Sequence, residues 1–273
     1  MLYVDNRGIP PSVETVAPFA PRRITHAFHD IDGTHSLIRD WVPVMTLVTG
    51  FTVQYGAPAV ADVPALAAVI GRHRSGEFPE AHRFAIESAG LSALTQMEWA
   101  LRRAVENGIL TLPGTVPAVN AEIVRRIWRG EEEFAELPEP EPFRQQLNAM
   151  GTMLFQAYEI LLLRVSRDRN LAAAKTDPAA WRVPGSLEFL RFLHACGVKN
   201  YFVTGAVIEY DGDGIPRGTM ADEVRALGYG IGPGETVEKL VGSAWNRKLP
   251  KERLMLQLCA EEAIAPEAVL IVG

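Results

Sequence analysis

The chain has 273 residues, of which 48% are hydrophobic and 22% charged, and its formal net charge is -6. This length and composition suit a globular protein with one large domain or two smaller ones. The acidic balance argues against a nucleic-acid partner, because binding to a phosphate backbone needs a basic face.

Other features of the composition disfavour membrane, secreted and zinc proteins. No apolar run approaches the about 18–20 residues that span a bilayer, and residues 1–23 lack the basic and apolar regions of a secretory signal. Cys196 and Cys259 stand outside any CxxC or Cys/His cluster, which disfavours a zinc site. Free thiols fit a reducing compartment, so we expect a cytoplasmic protein with no membrane partner.

The chain begins with a proline-rich stretch, residues 1–23, that predicts an irregular lead-in segment. A β-type run at residues 24–28 follows and leads into Asp30-Ile31-Asp32-Gly33-Thr34. Residues 36–48 then carry apolar side chains at helical spacing, and we expect Pro43 to interrupt that helix.

The pentapeptide 30–34 places two carboxylates two residues apart at the end of a strand. At this spacing Asp30 can attack phosphorus while Asp32 handles the proton of the leaving group. Gly33 lets the chain turn and brings backbone N–H groups near an anion. Because Asp-Gly is also a common turn pair, an ordinary surface loop is the alternative.

The middle of the chain, residues 58–181, predicts helices and no strand. The helical segments are expected at residues 60–70, 81–89, 91–107, 118–129 and 143–166. Alternating prolines at residues 137–142 predict an irregular connection between the last two. Gln96 is a weak candidate for substrate contact, and an exposed helix position is the favoured interpretation.

The last third of the sequence alternates between helix and strand. Ser186 is expected to cap a helix, and a strand at residues 198–203 ends at Thr204-Gly205. The remaining elements are expected to be a helix at 220–227, a strand at 237–242, a helix at 249–263 and a buried strand at 268–272. This alternation predicts an α/β fold with a doubly wound, Rossmann-like parallel sheet interrupted by a helical insertion. Ligands of such sheets bind at the carboxyl ends of the strands, which puts Asp30 and Thr204 on the same edge.

Three pieces of the sequence together resemble the haloacid dehalogenase superfamily of phosphohydrolases. The pentapeptide at Asp30 is similar to its first motif, Thr204-Gly205 to its second, and Lys248, which opens the helix before the final strand, to its third, with Lys251 as a nearby rival. The resemblance implies an irregular segment at 1–23, core at 24–48, a helical cap domain at 49–182, and core again at 183–273.

The resemblance also implies roles for single residues. Asp30 would be the nucleophile that forms an aspartyl-phosphate, and Asp32 the general acid and base. Thr204 would donate a hydrogen bond to a phosphoryl oxygen, and Lys248 would neutralise charge. Mg²⁺ would bind to the Asp30 carboxylate, the Asp32 carbonyl and the phosphate. The expected substrate-binding residues are Gly33, Thr34 and Gly205, together with Arg39, one helical turn past His35, for which a surface salt bridge is an equal alternative.

The sequence departs from the family pattern in two places. His29 stands where the family usually has an apolar residue before the nucleophile. After the last strand the family has a Gly-Asp pair and a further acid, its fourth motif, but the sequence stops at Gly273. Either the chain is a fragment, which we favour, or the metal acids come from Glu209, Asp211 or a second subunit. We therefore expect weak Mg²⁺ binding and slow or no hydrolysis of phosphate esters.

The function expected from the sequence is Mg²⁺-dependent hydrolysis of a small phosphorylated metabolite through an aspartyl-phosphate. A catalytically weak binding or interaction module of the same fold is one alternative. A phosphomutase or phosphonate hydrolase that shares Asp30 is another. The sequence predicts neither the identity of the substrate nor the oligomeric state.

Overall fold

The computed structural model describes residues 2–4, 20–38, 41–58, 60–245 and 250–273. The strands are β1 Leu2–Val4, β2 Arg22–Ile24, β3 His26–His29, β4 Lys199–Val207, β5 Glu209–Tyr210, β6 Pro216–Arg217, β7 Lys239–Ser243 and β8 Val269–Val272. The α-helices are α1 Val42–Tyr55, α2 Val63–Ile70, α3 Pro79–Glu87, α4 Ala93–Glu106, α5 Pro117–Trp128, α6 Glu141–Leu162, α7 Asp168–Thr176, α8 Ser186–Ala195, α9 Thr219–Ala226 and α10 Lys251–Glu261.

A four-stranded parallel sheet in the order β7-β4-β3-β8 forms the centre of the α/β fold. The chain enters the sheet at β3, continues outward through β4 and β7, and returns to β8 on the other side of β3. His29 pairs with Phe202 of β4 and with Val272 of β8, so these strands reach the carboxyl edge at the same level. The predicted doubly wound parallel sheet is confirmed.

Helices cover both faces of this sheet, as a parallel sheet requires. Phe28 and Tyr201 stack on one face and pack with Leu254 and Leu258 of α10. Phe202, on the opposite face, packs with side chains of α8 and α9. The alternation of neighbouring residues along β4 between two apolar clusters fixes which face each side chain occupies.

The helices between β3 and β4 have an apolar core of their own, in which side chains of α1, α2, α3, α4 and α6 pack together. Between residues 60 and 181 the structure contains helices and turns without a strand, as predicted. α1 is the central helix, and the residues from Val44 to Thr52 are all buried. The expected boundary between residues 48 and 49 falls inside this helix.

Pro43 is the second residue of α1 and does not interrupt a helix, so the helix predicted at 36–48 is wrong in its bounds. A proline in the first helical turn loses no hydrogen bond, because the first N–H groups of a helix have no partner within it. Residues 36–38 instead run along the sheet edge, where Ser36 forms isolated β-bridges with Asp32 and Arg182.

α6 and α7 form one continuous helical run through a π-helical turn at Leu163–Arg167. The Arg167 side chain in this turn is fully buried, and its Nη1 donates to Oε2 of Glu159 at 3.2 Å. Its Nη2 lies 3.8 Å from Oε2 of the fully buried Glu223 on α9. Glu223 also accepts a hydrogen bond from Oγ of Ser36 at 2.6 Å. This network ties the long helical run to α9 and to the chain that follows β3.

Four details of the sequence prediction need correction. β4 continues through Thr204 and Gly205 to Val207, because β7 keeps pairing with it past an irregularity in register. β8 is an edge strand on which Ile271 is 66% exposed, not a buried strand. Gly185, not Ser186, is the N-cap residue of α8. Within the segment predicted to be irregular, β1 pairs antiparallel with β2.

α10 begins at Lys251 after Pro250, and residues 246–249 lie outside the described residues. Lys248, predicted to open this helix, is therefore not placed. Among the described residues, no helix is long and apolar enough to cross a membrane.

Alanine substitutions at two helical glycines should change the free energy of unfolding in opposite directions. A Cβ on Gly50 of α1 would overlap Cβ and Cγ of Phe78, whereas a Cβ on Gly151 of α6 would meet no atom within 4 Å. Gly50→Ala should lower the free energy of unfolding by about 1–3 kcal/mol, because overpacking outweighs the better helix propensity of alanine. Gly151→Ala should raise it by about 0.5–1 kcal/mol. Urea denaturation of both variants measures the two changes, and a stabilised Gly50→Ala variant would contradict the packing of α1 on Phe78.

Candidate active site

Asp30 lies at the carboxyl end of β3, at the edge of the sheet. Its N–H donates to the carbonyl of Val272 at 2.8 Å, which extends the ladder between β3 and β8 by one residue. A Cβ on Gly273 would lie 3.7 Å from Cβ of Asp30, so the residue after β8 is adjacent to this carboxylate. The backbone of Asp30 is therefore fixed by the sheet, while its carboxylate is directed beyond the edge.

Lys251, the first residue of α10, forms an ion pair with Asp30. Its Nζ lies 2.7 Å from Oδ1 of Asp30, and the two side chains are 24% and 29% exposed. No described residue donates a hydrogen bond to the other oxygen, Oδ2. The pair therefore holds one oxygen of the carboxylate and leaves the second available to a ligand.

The loop after Asp30 is a tight turn closed by its own backbone. The carbonyl of Ile31 accepts hydrogen bonds from the N–H groups of Thr34, His35 and Ser36, and the N–H of Gly33 donates to the carbonyl of Ser36. Gly33 has a φ of +79°, a left-handed conformation that favours glycine. The sequence correctly predicts a turn here. The amides of Gly33 and Thr34, however, bond within the loop and do not face a ligand.

A cavity of about 340 Å³ lies between this sheet edge and the helices. Asp30, Asp32, Gly205 and Lys251 line it on the side of the sheet. The helical side contributes Trp41, Met45, Ala89, Gly90, Leu91, Ala93, Gln96, Phe155, Tyr158 and Glu159. The structure thus brings three of the predicted site residues, Asp30, Asp32 and Gly205, to one cavity.

The other predicted site residues are placed elsewhere or lie outside the described residues. Gly33, Thr34 and Thr204 are absent from the lining of the cavity. Thr204 is buried, and its Oγ1 accepts a hydrogen bond from the N–H of Ala206 at 3.1 Å. Arg39 and Lys248 both fall on residues that the structure does not describe. The described cation beside Asp30 is Lys251, which the sequence offered as the rival of Lys248.

Two polar residues on the helical side were missed or misplaced by the sequence analysis. Gln96, expected at an exposed position, is only 3% exposed and lines the cavity. Glu159 was not singled out, and its side chain is 14% exposed beside the same cavity. The sequence feature that could have identified Glu159 is its position as a single acid next to the apolar run 160–163. A charge in such a place is costly unless it has a function or a partner.

A chain of buried hydrogen bonds supports the loop from the side of the sheet opposite α10. Nε2 of His29 lies 3.1 Å from Oδ1 of Asn200, and Nε2 of His35 lies 3.0 Å from Nδ1 of His29. Nδ1 of His35 lies 2.6 Å from Oγ of Ser186, which in turn lies 2.5 Å from the hydroxyl of Tyr229. All five side chains are buried. His29 and His35 therefore pack behind the site and do not line the cavity.

The hydrogen bonds of this chain are compatible with two neutral imidazoles. Nδ2 of Asn200 donates to two backbone carbonyls, so its Oδ1 must accept from Nε2 of His29. Nδ1 of His29 then accepts from Nε2 of His35, and Nδ1 of His35 accepts from the hydroxyl of Ser186. This pattern makes all four bonds of the chain with both rings neutral. Burial, which outweighs the other influences, lowers the pKa of His29 to about 4 and that of His35 to about 3.

The side chains that line the cavity could hold Mg²⁺ only together with a substrate, whose phosphate would supply further oxygen ligands. Within the described ranges, no group of three or more His, Cys, Asp or Glu side chains could hold a metal ion. Mg²⁺ usually keeps several waters and binds through one or two carboxylates together with substrate phosphate. Asp30 and Asp32 can supply such carboxylates at the sheet edge, so the residues present fit a weakly held ion.

Glu209 and Asp211, considered from the sequence as a source of metal ligands, have other partners. The Asp211 carboxylate accepts hydrogen bonds from the amides of Asp213 and Ile215 and from the guanidinium of Arg217. Oε1 of Glu209 accepts from Nε1 of Trp245 at 2.8 Å. Neither acid lines the cavity that contains Asp30. Asp211 instead stabilises the hairpin between β5 and β6.

Comparisons with known proteins give one distant structural similarity. No protein-family model matches the chain, and no curated protein is similar to it. A solved structure from Lactobacillus delbrueckii subsp. bulgaricus, named "putative phosphoglycolate phosphatase", is 13% identical to this chain. The match covers 92% of this chain and 79% of the other, with a TM-score of 0.44. A similarity at this level carries no argument about the activity of this chain.

The buried histidines predict a loss of stability in acid. Both folded-state pKa values lie below the ordinary value of 6.5, so the unfolded chain binds more protons below that pH. The free energy of unfolding should be unaffected by these groups above pH 6.5 and fall by at least about 2 kcal/mol as the pH drops toward 4. A double variant, His29→Leu with His35→Leu, should show a shallower slope.

The matched control is His194→Gln, which replaces an exposed histidine and should keep the wild-type slope. Ring resonances in NMR spectra of the wild-type protein give a measurement that needs no variant. His29 and His35 should remain neutral at pH 5, and titration of either ring near its ordinary pKa would contradict the buried network.

Proposed function

We propose that this chain is a phosphomonoester hydrolase in which Asp30 is the nucleophile. The observation that carries the proposal is the ion pair of Asp30 with Lys251, at the carboxyl edge of a parallel sheet and in one cavity with Asp32. This edge is where α/β sheets of this type bind ligands. The expected substrate is a small phosphorylated metabolite.

The described side chains suggest why a divalent cation would assist such a reaction. Three carboxylates, those of Asp30, Asp32 and Glu159, line the cavity, whereas Lys251 is the single cation among the described lining residues. A phosphate dianion would be repelled by this excess of negative charge. Bound Mg²⁺ would supply positive charge to the phosphate oxygens.

The proposed reaction has two steps that share the same two carboxylates. Oδ2 of Asp30 attacks phosphorus, the bond from phosphorus to the alcohol oxygen breaks, and Asp32 gives its proton to the leaving oxygen. In the second step a water attacks the phosphorus of the aspartyl-phosphate and Asp32 takes the proton of that water. The acyl-phosphate bond breaks, and the Asp30 carboxylate is restored.

Lys251 would keep Asp30 oriented during this cycle. The ammonium group donates to Oδ1 and so fixes the direction of Oδ2. As charge moves from the nucleophile to the phosphoryl oxygens, the ammonium remains close enough to stabilise it. Lys251 thus takes the part that the sequence resemblance assigned to Lys248.

The helices from α1 to α7 would act as the cap over this site, a proposal that keeps the expected cap near residues 49–182. Their own apolar core and the lining residues from α1, α4 and α6 support a separate layer that closes the cavity. Exclusion of water would strengthen the electrostatic interactions at Asp30 and protect the intermediate.

Replacing the nucleophile and removing the metal test the proposal directly. Asp30→Asn should abolish hydrolysis of para-nitrophenyl phosphate, because an amide cannot form the phosphoenzyme. Chelation by EDTA should also abolish hydrolysis, and added Mg²⁺ should restore it. Release of para-nitrophenol, followed by absorbance, measures each rate. Retained turnover in a folded Asp30→Asn variant would contradict the assignment of the nucleophile.

The two candidate lysines can be separated by substitution. Lys251→Ala should lower kcat by about 100- to 1000-fold, the usual cost of removing one charge-stabilising donor. Lys248→Ala should have a smaller effect. Lys199→Ala is the matched control, because this lysine pairs with Glu238 at the amino end of β4, away from Asp30. The reverse order, with Lys248→Ala more severe than Lys251→Ala, would restore the sequence-based assignment.

A further inference from the structure

The cavity beside Asp30 has two chemically different sides. The sheet side holds Asp30, Asp32 and Lys251. The helical side presents the apolar side chains of Trp41, Met45, Leu91 and Phe155 around two polar residues, Gln96 and Glu159. The alcohol part of a phosphomonoester bound at Asp30 would extend toward this helical side, so these residues decide which alcohol fits.

Gln96 presents a hydrogen-bond acceptor to the cavity. Its Nε2 donates to Oγ of Ser88 at 2.8 Å and to the carbonyl of Ser88 at 3.3 Å. Because a carbonyl can only accept, this contact requires the amide nitrogen of Gln96 on the Ser88 side. Within the described part of the chain, no donor reaches Oε1 of Gln96. This oxygen can therefore accept a hydrogen bond from a ligand in the cavity.

Glu159 supplies negative charge to the same side. One of its oxygens, Oε2, accepts a hydrogen bond from Nη1 of the buried Arg167 at 3.2 Å. Arg167 also lies 3.8 Å from Glu223, so it is shared between two carboxylates. The helical side therefore offers the carboxylate of Glu159 and the amide oxygen of Gln96. The nearest described cation, Arg167, is shared between Glu159 and Glu223.

We propose that the substrate is the phosphomonoester of an amino alcohol, with its ammonium group between Glu159 and Gln96. This inference rests on the proposed function for the reaction but concerns a different part of the cavity. An ammonium group donates three hydrogen bonds and balances the charge of Glu159. The aromatic faces of Trp41 and Phe155 suit a cation next to an apolar carbon chain. A carboxylate in the same place would meet Glu159 and be repelled.

A substrate series of equal length tests this assignment. The values of kcat/KM are measured for an ω-aminoalkyl phosphate, the matching hydroxyalkyl phosphate and the matching carboxyalkyl phosphate. The wild-type protein should prefer the ammonium compound over the hydroxyl compound by about tenfold, the size expected of one favourable charge contact. The carboxylate compound should be the poorest substrate. Equal values across the series, or a preference for the carboxylate, would overturn the proposal.

Variants of Glu159 and Gln96 then test whether these two residues cause the preference for the ammonium compound. Glu159→Gln should remove most of the preference for ammonium over hydroxyl, and Glu238→Gln, the same charge change at the amino end of the sheet, should leave it unchanged. Gln96→Met provides a second test if Glu159→Gln fails to fold, and it should also reduce the preference. A preference unaltered in folded Glu159→Gln and Gln96→Met variants would assign the selectivity to other residues and overturn the proposal.

Binding to the Asp30→Asn variant separates this proposal from the proposed reaction. Calorimetry in the presence of Mg²⁺ should show tighter binding of the ω-aminoalkyl phosphate than of the carboxyalkyl phosphate. If that preference is found but the wild-type protein hydrolyses none of the compounds, the reaction is wrong and the ligand class stands. If hydrolysis occurs without any preference, the reaction stands and the ligand class is wrong.

Discussion

The ion pair between Lys251 and Asp30 connects the two parts of the chain on which the candidate site depends. Asp30 ends the first strand of the parallel sheet, and Lys251 begins the helix that returns the chain to β8 on the other side of that strand. Their meeting requires that β3, β4 and β8 all point toward the same edge. Asp32, the second acid, lines the same cavity as this pair. The proposed attacking oxygen is the oxygen of Asp30 that Lys251 does not contact.

Two buried networks hold the loop after Asp30 from different directions. On one side His29 and His35 link the sheet to Ser186 at the start of α8. On the other side Ser36 donates to Glu223, which lies next to Arg167 in the π-helical turn. In the proposed reaction, a loop fixed in this way would keep its carboxylates in place without rearrangement when a ligand binds, which would lower the cost of reaching the transition state. His29 thus helps to hold this loop in place, a role that a sequence comparison alone does not show.

Local sequence patterns predicted the parts of the structure that local physics controls. The apolar periodicity of residues 60–166 predicted helices, and short β-type runs predicted a parallel sheet with Asp30 at its edge. Predictions failed where contacts between residues far apart in the sequence determine the structure. Pairing with β7 extends β4 past Thr204, and the packing of α4 buries Gln96, which an exposed helix face would have left in water. Glu159 lines the same cavity as Asp30, and no spacing in the sequence links the two residues.

The most direct test of the central claim is the identity of the residue that carries the phosphoryl group during turnover. A reaction with an activated phosphomonoester and Mg²⁺ is stopped in acid, and the digested protein is examined by mass spectrometry. The account predicts one phosphoryl group on the peptide that contains Asp30, and its absence from the Asp30→Asn variant. Turnover with the phosphoryl group on another residue, or with no phosphoenzyme at any time point, would contradict it.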